Sequence, residues 1–172
     1  MFKHAIAFAG LMAVALSTGQ ALAASTSATF QVKLTVTAAC SVTAGATSDI
    51  SLGSVASTAT NVAGSNSIKV TCTKSTPYSI GLRPSNGNSA GAGVMLRAGG
   101  TAGVAADEVA YNLYSNLAHT AVWGNDVTAG TGNVVLGTGS GAEASHTVYA
   151  VAPSANSAAG TYADTVTVTI NY

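Results

Sequence analysis

Few residues of the sequence carry side chains that could do chemistry, and they lie far apart. Cys40 and Cys72 are its two cysteines, while His119 and His146 follow much later in the chain. A structural metal site needs three or four closely spaced ligands, which this spacing does not provide. Two cysteines in an exported protein form a disulfide by default. We therefore predict a Cys40–Cys72 disulfide, which stabilises the fold by roughly 3.5 to 4 kcal/mol through the loop that it closes.

The remaining candidates for catalysis are two histidines and one carboxylate pair. His119 and His146 could each serve as a general base. Asp107 and Glu108 are adjacent in the sequence. Neighbouring side chains of an extended segment point to opposite faces, so we expect a solvated loop pair and not an acid–base dyad. No glycine-rich loop ends in the Lys-Ser or Lys-Thr pair that holds phosphate. We predict no enzymatic activity, no cofactor and no metal site.

Three aromatic residues offer a different chemistry. Trp123, Tyr111 and Tyr114 could together form a flat shelf for a sugar ring. Aromatic side chains within alternating apolar segments also pack in cores and at subunit contacts. We favour the packing role, and the sugar shelf stays as an alternative.

Composition restricts the class of protein. Charged residues make up 7% of the chain, and the six basic residues balance the six acidic ones, whereas an ordinary soluble domain carries about 25% charged residues. Such a chain has no basic surface for nucleic acid or for an anionic membrane. Its hydrophobic content of 48% also argues against disorder.

Residues 1–23 have the pattern of a secretory signal peptide. Lys3 and His4 form a basic start, residues 5–16 are an apolar run, and Ala21 and Ala23 mark a cleavage site. The apolar run is shorter than the roughly 20 residues of a membrane span. We predict an exported protein without membrane insertion, whose mature chain begins at Ala24 or Ser25.

Alternating apolar and polar residues predict strands along most of the mature chain. Clusters of Gly, Asn and Ser separate the strands as turns. The predicted strand segments are residues 28–37, 49–52, 68–73, 78–82, 109–113, 122–123, 134–136, 147–151 and 165–172. Residues 85–107, which are rich in Gly and Ala, are predicted to form a long loop. This pattern is typical of an all-β protein with an antiparallel sandwich.

The first and last predicted strands each present an apolar face. The chain ends on the last strand, and no further strand follows to cover its edge. An exposed edge is a liability unless it is used, and strand addition is one use: the N-terminal strand of one subunit completes the sandwich of the next. The pattern is equally consistent with a first strand that pairs within its own domain.

The residues of these two faces are candidate assembly residues. The donor face consists of Phe30, Val32, Leu34 and Val36, and the accepting edge carries Val166, Val168, Ile170 and Tyr172. Four buried apolar side chains contribute roughly 6 to 12 kcal/mol before the cost of ordering the segment.

Four segments of the sequence stand out together: residues 30–36 leading into Ala39 and Cys40, residues 68–72 followed by Pro77 and Tyr78, residues 109–114 with Trp123, and residues 160–172. They resemble the spore coat protein U domain of archaic, Csu-type chaperone–usher pilus subunits. The resemblance spans nearly all of the predicted mature chain.

This resemblance implies an incomplete immunoglobulin-like sandwich at residues 38–172 that lacks its last strand, preceded by a donor segment at residues 24–37. A periplasmic chaperone would lend a strand to the edge at residues 166–172, and an outer-membrane usher would export the subunit. The donor segment of an identical or related subunit would then replace the chaperone. Tip adhesins of such pili have two domains and about twice this length, so the single domain implies a shaft subunit, with a minor or adaptor subunit as the alternative. The resemblance further implies a cell-surface pilus that serves adhesion and biofilm formation.

Two alternatives remain open at this point. One is a secreted, self-complete coat or matrix protein of the same family. The other is a carbohydrate-binding module that uses His119, Trp123 or His146.

Overall fold

The computed structural model of the protein describes residues 23–128 and 132–172. The predicted signal peptide, residues 1–23, therefore lies outside the described residues except for Ala23. The chain divides into two compact units, residues 1–35 and 36–172. The described residues of the first unit contain neither helix nor strand.

Antiparallel strands build the second unit. They are β1 (Cys40–Thr43), β2 (Thr60–Cys72), β3 (Pro77–Pro84), β4 (Ala92–Arg97), β5 (Glu108–Tyr114), β6 (Val135–Thr138), β7 (Glu143–Ser154), β8 (Tyr162–Ala163) and β9 (Val166–Asn171). One sheet has the order β1-β2-β7-β5-β4-β8, and the other has the order β6-β3-β9. The predicted all-β fold with antiparallel sheets is confirmed.

The core lies between the two sheets and follows the predicted alternation. Ile68 and Val70 from β2 point into it, as do Ile80 and Leu82 from β3 and Leu113 from β5. The intervening residues of β2, such as Lys69 and Thr71, are exposed. Because successive side chains of a strand point to opposite faces, each period-two segment puts its apolar half inside.

Four of the predicted segments differ from the structure. Residues 28–37 contain no strand, and at residues 122–123 only Val122 pairs, in an isolated bridge with Tyr114. Residues 49–52 form no strand either. Their backbone passes so close to β2 that a Cβ added to Gly64 would lie 2.5 Å from the carbonyl oxygen of Ser51. The Asn66 side-chain amide holds this region by donating to the carbonyl oxygens of Thr47 and Asp49 at 3.0 and 2.8 Å. Side-chain hydrogen bonds thus take the place of a strand ladder.

The predicted long loop at residues 85–107 is wrong, because it contains β4. Gly93 of β4 pairs with Tyr111 of β5, and a Cβ on Gly93 would overlap the Tyr111 ring. The glycine that suggested a loop is instead required by close packing inside a sheet.

Within the described residues, the helical segments are two short 3-10 turns at Ala46–Ser48 and Ala105–Asp107. No helix in this part of the chain has the length and apolar character needed to cross a membrane.

Candidate functional site

The two histidines considered for catalysis occupy structural positions. The His146 ring lies 3.1 Å from the hydroxyl of Tyr78, and burial lowers its pKa. The His119 ring contacts Tyr114 and Tyr149, with ring centroids 5.4 and 6.0 Å away. Within the described residues, no group of three or more His, Cys, Asp or Glu side chains could hold a metal ion.

The expectation that Asp107 and Glu108 form a solvated pair is wrong for Asp107. Its carboxylate is buried, accepts from the Arg97 Nε at 2.7 Å and accepts from the Thr101 backbone N–H at 2.9 Å. The bond from Thr101, followed by the bond from Arg97, lowers the pKa of Asp107. Asp107 therefore closes the β4–β5 connection and is not part of a dyad.

The aromatic residues proposed as a sugar shelf do not form one. Trp123 is 1% exposed, and its indole N–H donates to the carbonyl oxygen of Ile80 at 2.9 Å. Tyr111 is buried as well, whereas Tyr114 lies on the opposite face of the sheet beside His119. Because side chains alternate along β5, Tyr111 and Tyr114 lie on opposite faces of the sheet. Trp123 is buried in the core.

One motif was missed by the sequence reasoning. Residues 87–91 match Gly-x-Ser-x-Gly, the pattern of a hydrolase nucleophile elbow. Such an elbow joins a strand to a helix, but here the motif leads into β4. The carbonyl oxygen of Ser89 accepts from the Asn125 N–H at 2.9 Å and from the Asn133 amide at 3.0 Å. The motif therefore forms a loop that is held by hydrogen bonds from Asn125 and Asn133.

The predicted disulfide between Cys40 and Cys72 is present. The two cysteines are directly paired across β1 and β2, with Cα atoms 4.1 Å apart. The bridge thus joins the first residue of β1 to the last residue of β2.

The predicted donor segment, residues 24–37, carries exposed apolar side chains. Phe30, Val32, Leu34 and Val36 are 88, 89, 88 and 72% exposed. The polar residues between them are exposed too, and no strand of the described residues includes any of this segment. Fully exposing such residues forfeits roughly 1.5 to 3 kcal/mol for each side chain.

A long groove opens into the core of the second unit. It consists of two adjoining cavities of about 560 and 710 Å³, which share Ile50, Leu52, Met95 and Tyr162. One wall is formed by residues 163–168 at the start of β9, and the other by residues 44–57, which follow β1. The floor consists of core residues: Ile68, Leu82, Tyr111, Leu113, Val148 and Ala150. Because an apolar cavity of about 150 Å³ already holds a benzene molecule, this groove has room for several side chains.

Two residues of the predicted accepting edge, Val166 and Val168, line this groove, whereas Ile170 and Tyr172 do not. Val166, Val168 and Ile170 are half-buried against the core, while Tyr172 is exposed. One edge of β9 pairs with β3, and its other edge has no strand partner among the described residues. A row of backbone donors and acceptors is therefore left for an added strand.

One polar contact interrupts the apolar groove. The Tyr111 hydroxyl donates to the Asp164 carboxylate at 2.6 Å. Burial, and then this bond, raises the pKa of Tyr111 far above its usual value. The phenol therefore stays protonated and keeps Asp164 beside the first residue of β9.

Sequence reasoning did not identify Met95 and Tyr162, which line both cavities of the groove. Met95 lies in the segment assigned to a loop, and Tyr162 comes from the two-residue strand β8. Only Ile50 and Leu52 carried a signal, namely their alternation within residues 49–52. The contribution of Met95 and Tyr162 depends on the pairing of β4 with β8, which no local pattern reveals.

Comparison with known proteins supplies the family. No match was found among curated proteins. Among solved structures, the chain is similar to a chain from the CsuC–CsuE chaperone–tip adhesion subunit pre-assembly complex of the archaic chaperone–usher Csu pili of Acinetobacter baumannii. The identity is 19% and the TM-score is 0.48, over 80% of this chain and 40% of that chain.

The present chain thus spans less than half of the solved chain that it matches. A family model described as the Spore Coat Protein U domain matches residues 26–169. Because this match covers most of the sequence, the chain belongs to the Spore Coat Protein U domain family.

Proposed function

We propose that the protein is an exported structural subunit of an archaic chaperone–usher pilus. Residues 24–37 of one copy fill the groove beside β9 of another copy and pair with its open edge. The observation that carries the proposal is the coexistence of an unburied apolar segment and an unfilled apolar groove in one chain.

The two surfaces match in chemistry and in size. The donor face reads Phe30, Val32, Leu34 and Val36, and the groove is lined mainly by aliphatic and aromatic side chains. The 14 residues of the donor segment span about 46 Å when extended, at roughly 3.3 Å for each residue. Such a strand is long enough to cover all six residues of β9 and the groove that continues beyond them.

The same groove supports a requirement for a chaperone. A subunit that exposes core residues and a bare strand edge before assembly is prone to aggregation. A periplasmic chaperone that lends a strand to residues 166–172 protects the subunit, and an outer-membrane usher delivers it to the growing fibre. Membership of the Spore Coat Protein U domain family is consistent with these partners.

The combination of a candidate donor segment and a candidate groove in one chain supports a position in the shaft. An internal subunit must accept a strand from one neighbour and donate a strand to another. This chain carries a candidate donor and a candidate groove, whereas a subunit at the tip needs only the groove. The surface roles that we propose for the fibre are adhesion and biofilm formation.

Deletion of residues 24–37 tests the proposal. The truncated subunit is expected to bind the chaperone and to remain unable to join a fibre, measured by co-purification and electron microscopy. Failure to fold even with the chaperone would mean that the segment is an internal strand. Folding as a stable monomer without any chaperone would favour the self-complete coat or matrix protein.

A graft provides the complementary measurement. Residues 24–37 joined to the C-terminus through a short Gly-Ser linker should fill the groove of the same molecule and yield a monomer with a higher melting temperature. The matched control carries the same residues with their apolar and polar positions exchanged, which turns the apolar face away from the groove. Equal melting temperatures for the graft and its control would overturn the proposal.

A further inference from the structure

The C-terminal end of the donor segment is held at the end of β2 by two interactions. Cys40 is bound covalently to Cys72. The next residue, Thr73, contacts Thr37 and Ala39, which precede β1. Its hydroxyl accepts from the Ala39 N–H at 3.1 Å and lies 3.3 Å from the carbonyl oxygens of Thr37 and Ala39. The Thr73 N–H also donates to the Ala39 carbonyl oxygen at 2.9 Å.

The chain that follows this anchor forms a wall of the groove. β1 contributes four residue pairs to β2, from Cys40↔Cys72 to Thr43↔Lys69. Directly after β1, Ala44, Gly45 and Ser48 line the groove, and Ile50 and Leu52 continue the wall. Any force that peeled β1 away from β2 would therefore next displace residues that hold the donor strand of a neighbouring copy.

We propose that the Cys40–Cys72 disulfide and Thr73 isolate the groove from tension on the donor segment. This inference rests on the proposed function. In a fibre, the segment at residues 24–37 is held by one neighbour, and the groove holds the segment of another. Tension that enters at Thr37 passes through Cys40 to Cys72 in β2, which is paired along its length with β7. Residues 41–71 are bypassed, so the wall at residues 44–57 stays in place while the joint is pulled.

The length of chain between the two cysteines sets the extension that is expected when the disulfide is lost. The two cysteines are separated by 32 positions in sequence but by only 4.1 Å between their Cα atoms. At roughly 3.3 to 3.6 Å for each extended residue, loss of the bridge releases about 100 to 110 Å of chain when residues 41–71 unravel. A step of this length is far larger than the extension available to residues 37–39.

The experiment pulls assembled fibres of the full-length subunit in an optical trap at constant force. Fibres are first assembled with the disulfide intact and are then reduced with a phosphine reductant, either under tension or at rest. Reduction is checked by thiol labelling. Reduction after assembly avoids any folding defect of a cysteine variant. We expect steps of about 100 to 110 Å and at least a tenfold shorter lifetime under tension, but no loss of subunits from reduced fibres at rest.

Two results would overturn the inference: reduced fibres that show no such steps under tension, or oxidised fibres that show the same steps. Complete failure of the unmodified subunit to form fibres with its chaperone and usher would instead overturn the proposed function, and the inference with it. The two failures are therefore distinguishable.

Substitutions test the contribution of Thr73. Thr73→Val removes the hydroxyl at nearly constant shape, and Thr73→Ser retains it. After reduction, Thr73→Val fibres should lengthen at a lower force than wild-type fibres, and Thr73→Ser should restore the wild-type force. Thr71→Val, at an exposed position of β2 two residues earlier, is the matched control. Equal forces for Thr73→Val and Thr71→Val would show that the Thr73 hydroxyl does not help to hold the donor segment at the end of β2.

Discussion

Leu34→Ala separates a donated strand from an internal one, because its effect depends on the state of assembly. In the subunit described here, Leu34 is almost fully exposed. Truncation of an exposed side chain changes the free energy of unfolding by no more than about 0.5 kcal/mol. Within a filled groove, the same truncation removes a packed leucine, which costs about 2 to 5 kcal/mol. Since 1.4 kcal/mol corresponds to a factor of ten, each joint should dissociate at least about 30-fold more readily.

The assay compares two states of the same variant. Guanidinium titration of fibres, followed by sedimentation, measures the stability of the contact between a donor segment and the groove of the next subunit. Thermal unfolding of the chaperone-bound subunit measures the stability of the unassembled domain. Leu34→Ala should lower the guanidinium midpoint of the fibres and leave the unassembled subunit unchanged. Thr35→Ala is the matched control, because this neighbour points away from the donor face and should leave both measurements unchanged.

Three outcomes would refute this reasoning. An equal loss of stability in the unassembled subunit would show that residues 28–37 pack within their own domain. A loss in fibres of Thr35→Ala as large as that of Leu34→Ala would show that the donor face is assigned incorrectly. Unchanged fibres of Leu34→Ala would show that Leu34 does not enter the groove.

Three further substitutions test other parts of the structure. Trp123→Phe removes the hydrogen bond to Ile80 and leaves a void in the core, so the free energy of unfolding should fall by about 2 to 4 kcal/mol in a denaturant titration; an unchanged value would contradict the buried position. Asp107→Asn should destabilise the domain at neutral pH, because the pKa of Asp107 is lowered in the folded state. The stabilisation by the charged carboxylate is present above the unfolded pKa of about 3.9, and it is lost as the pH falls through the folded pKa. Thermal unfolding of wild type and variant should therefore converge in acid, and a gap that widens there would contradict the assignment. Gly64→Ala places a methyl group against the Ser51 backbone. It should lower the free energy of unfolding by about 1 to 3 kcal/mol, and it should weaken fibres because the groove wall is displaced. Unchanged stability in both assays would show that this wall moves without cost.

Local pattern was sufficient for the strands that carry most of the core, because their signal lies between residues two positions apart. Ile68, Val70 and Cys72 are buried as their alternation predicts, and Ile80 and Leu82 are buried in the same way. The disulfide could also be predicted, since the chain has two cysteines and an export signal. The same period of two assigned the apolar face of residues 28–37, whose role as a donor stays a prediction.

Other features depend on residues that are distant in sequence. Asp107 is charged and adjacent to Glu108, yet Arg97 and the Thr101 backbone bury and pair it. Gly93 belongs to a strand because the Tyr111 ring occupies the space of a side chain there. No neighbouring residue in the sequence indicates either partner, so propensity alone predicted a solvated pair and a loop.

By itself, the sequence determined the all-β class, the disulfide and the alternating apolar faces, because each of these depends on residue type and local spacing. The tertiary structure alone decided that β9 has a partner on only one side within the described residues, and that residues from the segment 44–52 line an open groove together with Val166 and Val168. A groove is the space between elements, and its existence depends on how β1, β4, β8 and β9 are arranged around the core. That arrangement is set by long-range pairing and packing, which leave no periodic trace in the chain.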